Sequence, residues 1–390
     1  MQVIEKISVW LIVLVMVSGC IEPFTPDIDE YKKLLVINGK ITDQEGYQYI
    51  DISHSTSYTD PEFNFEKGSN VKVYDDKGNV FQYVEYSTGL YRCWFNKEFL
   101  QTGTRYRVEV QTKGGKTYYS DFDILEPCPD IDSIYYEVEI KEPDDLYYNP
   151  IYGIHLYVDT RESEYGVSNL RWELDETWEY RSSYLVSDYF DGSIEFAEGL
   201  FYDTLYYCWK SGRIKDIITL STGNYSSNKI NRGSLAFVPN SDEKLAVRYS
   251  ALVKQYSLSD SAYQYWNQMQ KNLQEAGGLY ETQPIRVTGN IHSASDANEM
   301  VLGYFWASSV KEKRFFFRNV GEIPLNYYKC QPFGLDSDQL TELLNSFPEN
   351  DYPIFLINES GFSFGPWDYT DQDCFDCTKK GGTVVRPDFW

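Results

Sequence analysis

Leu100-Gln101-Thr102-Gly103-Thr104-Arg105-Tyr106-Arg107-Val108-Glu109-Val110 is the stretch on which the reading of the fold turns. Tyr106, Val108 and Val110 alternate with Arg107 and Glu109, the period of a strand with one buried face. Gly103 supplies a turn just before it. Working outward, Lys113-Gly114-Gly115-Lys116 turns the chain into another strand, Thr117 to Ile124. Upstream, Val71–Tyr74 and Val80–Val84 flank Asp75-Asp76-Lys77-Gly78-Asn79, a hairpin whose glycine allows positive φ. Further upstream, Leu34–Ile37 reads as a buried strand, and Gln48, Ile50, Ile52 and His54 form one face of the next.

A glycine turn followed by a tyrosine whose hydroxyl returns to backbone resembles the late-strand signature of immunoglobulin-like and fibronectin type III sandwiches. With strands at roughly ten-residue intervals, residues 33–127 are expected to form such a β-sandwich, bounded by Pro127-Cys128-Pro129. Residues 128–390 are expected to form a larger β-rich domain. Its strands are Tyr135–Ile140, Ile151–Asp159, Leu170–Glu176, Ile217–Leu220 and Leu245–Tyr249, with buried strands in Val301–Trp306 and Arg314–Phe317. Two amphipathic helices fall near 259–276 and 337–347. Ser259 caps the first, whose stripe is Ala262, Trp266, Met269 and Leu273, ending at Gly277-Gly278. The second starts at Asp336 or Ser337, aligns Leu340, Leu343, Leu344 and Phe347, and stops at Pro348. The fold class is therefore mainly β. The 35 tyrosines and 22 phenylalanines fit pleated, half-buried surfaces, and are read chiefly as core.

The first twenty residues give an address. Ile7–Val17 is apolar except for Ser8, shorter than the ~20 residues a membrane span needs. It reads as the core of a signal peptide over 1–19, and Val17-Ser18-Gly19-Cys20 looks like a lipobox. Cleavage before Cys20 would leave that cysteine carrying acyl chains, palmitate among them, and several chains on one residue hold firmly where one does not. Residues 20–32, with two prolines and no apolar period, form a tether. The net charge of −24 and the lack of a basic patch exclude nucleic acid as a partner.

The other six cysteines, Cys93, Cys128, Cys208, Cys330, Cys374 and Cys377, are structural disulfide candidates in an exported chain. Cys93 and Cys128 share the N-terminal unit and could pair. Cys208, Cys330, Cys374 and Cys377 then form a second group.

No catalytic constellation emerges. Gly361-Phe362-Ser363-Phe364-Gly365 matches the nucleophile elbow in letters, but Pro366 follows where a helix should start and no histidine lies downstream. His54, His155 and His292 are far apart in sequence and read as strand or turn residues rather than zinc ligands. Cys374-Phe375-Asp376-Cys377 lacks both the helix of a redox site and the second pair of a zinc knuckle. Glu173-Leu174-Asp175-Glu176 and Asp368–Asp373 lack the calcium-loop pattern and read as solvated faces. No metal and no cofactor is expected. A carboxylate-based hydrolase is a remote alternative that only geometry could select.

Several segments together carry a family likeness. They are Cys20-Ile-Glu-Pro-Phe24, Leu35–Ile41, Tyr249–Ser259, Gln283–Ile291 with Val301–Phe305, and the ending Cys374-Phe-Asp-Cys377-Thr-Lys-Lys-Gly-Gly-Thr383 closed by Arg386-Pro-Asp-Phe-Trp390. This resembles the Bacteroidetes lipoproteins catalogued as domain of unknown function 4249. The resemblance implies an outer-membrane lipoprotein that accompanies a TonB-dependent receptor, with Cys20 as anchor and the motif cysteines as structural residues. It supplies no catalytic residue. The membrane face stays open. The expected function is a non-enzymatic accessory that helps capture the substrate of a TonB-dependent transporter. The alternative is a stand-alone, adhesin-like surface binder of glycan or protein.

Overall fold

The computed structural model describes residues 33–56, 64–142, 149–166, 168–197, 204–225, 227–240, 243–275, 286–318, 321, 323–324, 330–358 and 365–390. The expected signal peptide, Cys20, the expected tether and Ser363 lie outside them. The fold is mainly β, with four sheets and two α-helices among the described residues. No described helix is long and apolar enough to cross a membrane.

The N-terminal sheet holds eleven strands. Alternation builds it as expected: in Gly46–His54, Gln48, Ile50 and Ile52 face a core while Tyr47 and Tyr49 face out. The hairpin of Asn70–Asp75 and Val80–Ser87 closes on Gly78 at φ 92°, with Asp75 Oδ1 accepting from the Lys77 and Asn79 amides. The Tyr106 hydroxyl donates to the Phe99 carbonyl, the corner the sequence suggested, with Gly103 at φ 86°.

Two strands of this sheet come from far down the chain. Ile291–Ser293 pairs with Thr117–Ser120, and Phe305–Ser308 runs parallel to Leu35–Thr42. The core of the sheet accordingly contains Ile291, Val301, Phe305 and Ala307 beside Ile37, Ile52 and Val108. Gly303 makes this possible. It sits at φ 95°, and a Cβ there would lie 2.1 Å from the Ile37 carbonyl oxygen.

A five-stranded sheet contains Asn169–Arg181 at its centre, flanked by Arg248–Leu258, with Tyr207–Arg213, Ile218–Ser221 and Val310–Arg318 outside them. A three-stranded sheet, Ile131–Lys141, Ile151–Thr160 and Gly233–Pro239, shares one core with it, where Ile154, Leu156 and Val158 join Trp172, Leu174 and Val253. Only Ser309 separates Phe305–Ser308 in the N-terminal sheet from Val310–Arg318 in this one. The expected strand at Leu245–Tyr249 starts later, because Glu243–Leu245 is a 3-10 turn and the strand begins at Arg248. Phe316 is exposed within the expected buried run Arg314–Phe317.

Helix α1, Asp260–Glu275, lies at the seam between the sheets. Ser259 Oγ accepts from the Ala262 amide, capping it. Ala262 is buried and Trp266 half-buried, but Leu273 is exposed, so the stripe ends a turn early. The glycines at 277 and 278 lie outside the described residues. Helix α2, Ser337–Ser346, carries a capping box between Asp336 and Gln339. It packs Leu340 and Leu344 against a small sheet of Asp188–Phe190, Ile194–Phe196 and Ile354–Leu356.

The cysteines pair as Cys208–Cys377 and Cys330–Cys374. The second expected group thus forms within itself, and each half of the Cys-x-x-Cys bonds a distant partner. The first expected pair does not form: Cys93 and Cys128 are thiols. Cys93 lies on Leu90–Phe95, whereas Cys128 has left that sheet and is buried against the Gln255 side chain.

Candidate functional site

The outward faces of Leu35–Thr42 and Gly46–His54 meet α1 and Asn169–Arg181 around a cleft of about 670 Å³. That volume is within the usual range for small-molecule sites. Asn38, Lys40, Tyr49 and Asp51 come from one side, Arg171 and Glu173 from another, and Tyr265, Trp266 and Met269 from α1. Tyr304 and Trp306 close it. Strand parity explains the selection: positions 38 and 40, 49 and 51, and 171 and 173 are alternate residues whose neighbours fill the cores.

Glu173 organises the charges. Its carboxylate accepts from Lys40 Nζ at 2.9 Å and the Tyr256 hydroxyl at 3.0 Å, and faces Arg171 Nη2 at 3.3 Å. Burial works to raise its pKa, but Lys40 and Arg171 beside it prevail and hold it below the usual range. Burial lowers Lys40 and Arg171, against the pull of Glu173. Asp51 is raised by burial, although Asn38 Nδ2 donates to it at 3.1 Å. Two cations and two carboxyl groups thus line one cavity.

The rings complete it. The Arg171 guanidinium lies 3.8 Å from the Trp266 ring centroid, and Lys40 Nζ lies 4.4 Å from that of Tyr256. Trp266 and Trp306 are tilted at 71°, and Tyr265 and Trp266 at 82°, so these pairs do not form parallel walls. Two buried donors, Arg171 Nε and Trp266 Nε1, have no hydrogen-bond partner among the described residues. Orphaned donors of this kind cost about 1–3 kcal/mol each. Arg171 and Trp266 both line the cleft, but these two nitrogens are shielded from it.

Sequence reading assigned Trp266 to the core stripe and Glu173 to a solvated face, and singled out neither Lys40 nor Arg171. Glu173 is instead a buried ion-pair hub, and Glu176 is buried too, accepting from the Tyr249 hydroxyl and Lys244. Asp175 pairs with Arg213 and Lys254. Asp371 and Asp373 are exposed as read. The histidines occupy three different strands: His54 near Glu66, His155 between Glu139 and Ser234, and His292 beside Asp121. Among the described residues no three His, Cys, Asp or Glu side chains cluster as metal ligands.

The C-terminal block straps the five-stranded sheet. Thr383 exchanges backbone hydrogen bonds with Trp209, the Tyr180 hydroxyl donates to the Cys377 carbonyl at 2.6 Å, and Trp390 Nε1 donates to Glu179.

No curated protein matches the chain. A solved structure described as the BSP domain of a biofilm associated protein aligns with 76% of this chain at 5% identity and a TM-score of 0.12. The chain spans 62% of that structure's length, and the likeness carries no argument about fold. The family described as domain of unknown function 4249 matches residues 21–314, and this chain belongs to it.

Proposed function

We propose that this chain is a lipid-anchored capture module of the outer membrane, moored through Cys20, that docks a TonB-dependent transporter and takes a ligand into the cleft without altering it. The cleft carries this reading: Lys40, Asp51, Arg171 and Glu173 stand beside the Tyr265, Trp266 and Trp306 rings in one cavity of about 670 Å³. Glu173 is committed to Lys40, Arg171 and Tyr256, which suits a structural clamp better than a catalytic base. In this reading residues 33–127 are an immunoglobulin/fibronectin-III-like sandwich, supported by the Tyr106–Phe99 corner. Affinity purification of the full chain from detergent-solubilised membranes tests it. Co-recovery of a β-barrel receptor is expected, and recovery of the chain alone under mild detergent counts against it.

A stand-alone binder is the second reading, favoured by an exposed aromatic platform. Tyr47, Tyr49, Tyr86 and Trp94 are each 44–53% exposed on adjacent strands. Tyr47 and Trp94 meet at 5.1 Å, and Arg92 lies 4.3 Å over the Tyr47 ring. Glycan-array binding that Trp94→Ala abolishes, with no receptor co-purified, would favour it.

A further inference from the structure

Away from the cleft, the outer face of the three-stranded sheet places a serine, a histidine and a glutamate in line. His155 is on the central strand, Ile151–Thr160, with Ile131–Lys141 on one side and Gly233–Pro239 on the other. Its Nδ1 lies 2.5 Å from Glu139 Oε2 on the first neighbour, and its Nε2 lies 2.7 Å from Ser234 Oγ on the second. The ring is stacked on Tyr157, centroids 4.6 Å apart and planes 19° apart, which fixes its orientation. Ser234 is exposed and His155 half-buried.

The backbone is irregular where this alignment needs it to be. Leu156 pairs with Ala236 but Tyr157 pairs with Ser234, leaving Leu235 as the extra residue of a β-bulge. Without the bulge, strict alternation from outward-facing Phe237 would turn Leu235 out and Ser234 in. Instead Leu235 and Ala236 are both buried and Ser234 faces His155. Two residues earlier Arg232 adopts φ 54°, a left-handed conformation uncommon outside glycine, with its amide donating to Asp159 at 2.6 Å. Bulges and unusual backbone of this kind concentrate beside functional side chains.

We propose that Ser234, His155 and Glu139 form an acyl-transfer triad acting on carboxylic esters, a site separate from the cleft and independent of its reading. The contacts have the order such chemistry requires: nucleophile to base, base to orienting carboxylate. Ser234 Oγ attacks the ester carbonyl while its proton passes to His155 Nε2, and Glu139 holds the imidazolium through Nδ1. The carbon–alkoxy bond then breaks, and the leaving alcohol takes that proton. Water, deprotonated by His155, releases the acid and restores the serine. Cations stand on the rings flanking His155, with Lys141 Nζ 4.0 Å from the Phe237 centroid and the Arg232 guanidinium 4.9 Å from that of Tyr157. A developing oxyanion would draw on these two cations, Arg232 in competition with its ion pair to Glu137. The open face suits an acyl ester carried on a large substrate rather than one enclosed in a pocket.

The test uses the full chain with a fluorophosphonate probe, and p-nitrophenyl acetate as substrate. Peptide mass spectrometry should place the phosphonate on Ser234, and Ser234→Ala and His155→Ala should each abolish labelling. Glu139→Gln should slow it at least tenfold, and the acetate should give a burst stoichiometric with protein. Thermal melts identify variants that remain folded; should His155→Ala not fold, His155→Gln replaces it. Absence of labelling in the folded wild type, labelling at another residue, or labelling unchanged in folded Glu139→Gln would each overturn the proposal.

Discussion

Ser259 Oγ donates a 2.5 Å hydrogen bond to Asp123 Oδ1 across 136 residues of sequence. The contact ties the cap of α1 to the N-terminal sheet. The other oxygen of Asp123 accepts from the Ala307 amide at 2.8 Å, so a single carboxyl group joins three segments at the seam.

This joint should make stability depend on pH. Burial raises Asp123 to about 6, although Ser259 and the Ala307 amide act to lower it. A carboxyl raised in the folded state stabilises fully below its unfolded value and loses that contribution as pH climbs through the folded one. The loss between pH 4 and 6 should reach about 3 kcal/mol at most. Urea denaturation of wild type and Asp123→Asn across that window checks it. The difference in stability between the two should change with pH, and parallel curves would refute the assignment.

Glu173→Gln should destabilise the chain by about 3–5 kcal/mol, because Lys40 and Arg171 would remain half-buried without their counter-charge. The matching control is Glu137→Gln, whose partner Arg232 is largely exposed and whose loss should leave stability nearly unchanged. Chemical denaturation of both variants gives the comparison.

Gly303→Ala should cost more than about 2 kcal/mol, since the added methyl meets the Ile37 carbonyl and the backbone is left-handed. Gly78→Ala, also at positive φ but with open space around it, should cost less. Thermal melts of the two separate collision from backbone preference.

Non-reducing peptide mapping should recover Cys208 linked to Cys377 and Cys330 linked to Cys374, with Cys93 and Cys128 alkylatable after unfolding. Cys377→Ser should lower stability by several kcal/mol, because the bridge closes a separation of 169 residues. Cys93→Ser should be nearly silent. A Cys93–Cys128 peptide would contradict the fold.

Features set by near neighbours were legible in sequence. The hairpin around Gly78, the Tyr106 corner and the Asp336 cap of α2 each depend on residues within a few positions. What depends on distant partners was not. The acid cluster at Glu173–Glu176 looks solvated until Lys40, 133 residues earlier, and Lys244 are brought to it. Val301–Trp306 is plainly apolar, yet nothing local says that Phe305–Ser308 joins the N-terminal sheet. His155 was legible as a strand residue, but its approach to Ser234 depends on a bulge, and a bulge breaks the alternation by which strands are recognised.

The late strand has a consequence for biogenesis. As the polypeptide emerges from its amino end, Leu35–Thr42 can pair with Gly46–His54 at once, but its other edge waits for Phe305–Ser308. Throughout that interval an unsatisfied β edge is offered to any neighbouring nascent chain, the geometry that seeds intermolecular pairing. Synthesis of this protein thus carries a built-in period of vulnerability, and a holdase that shields residues 35–42 would bring most benefit before the last quarter of the chain is made.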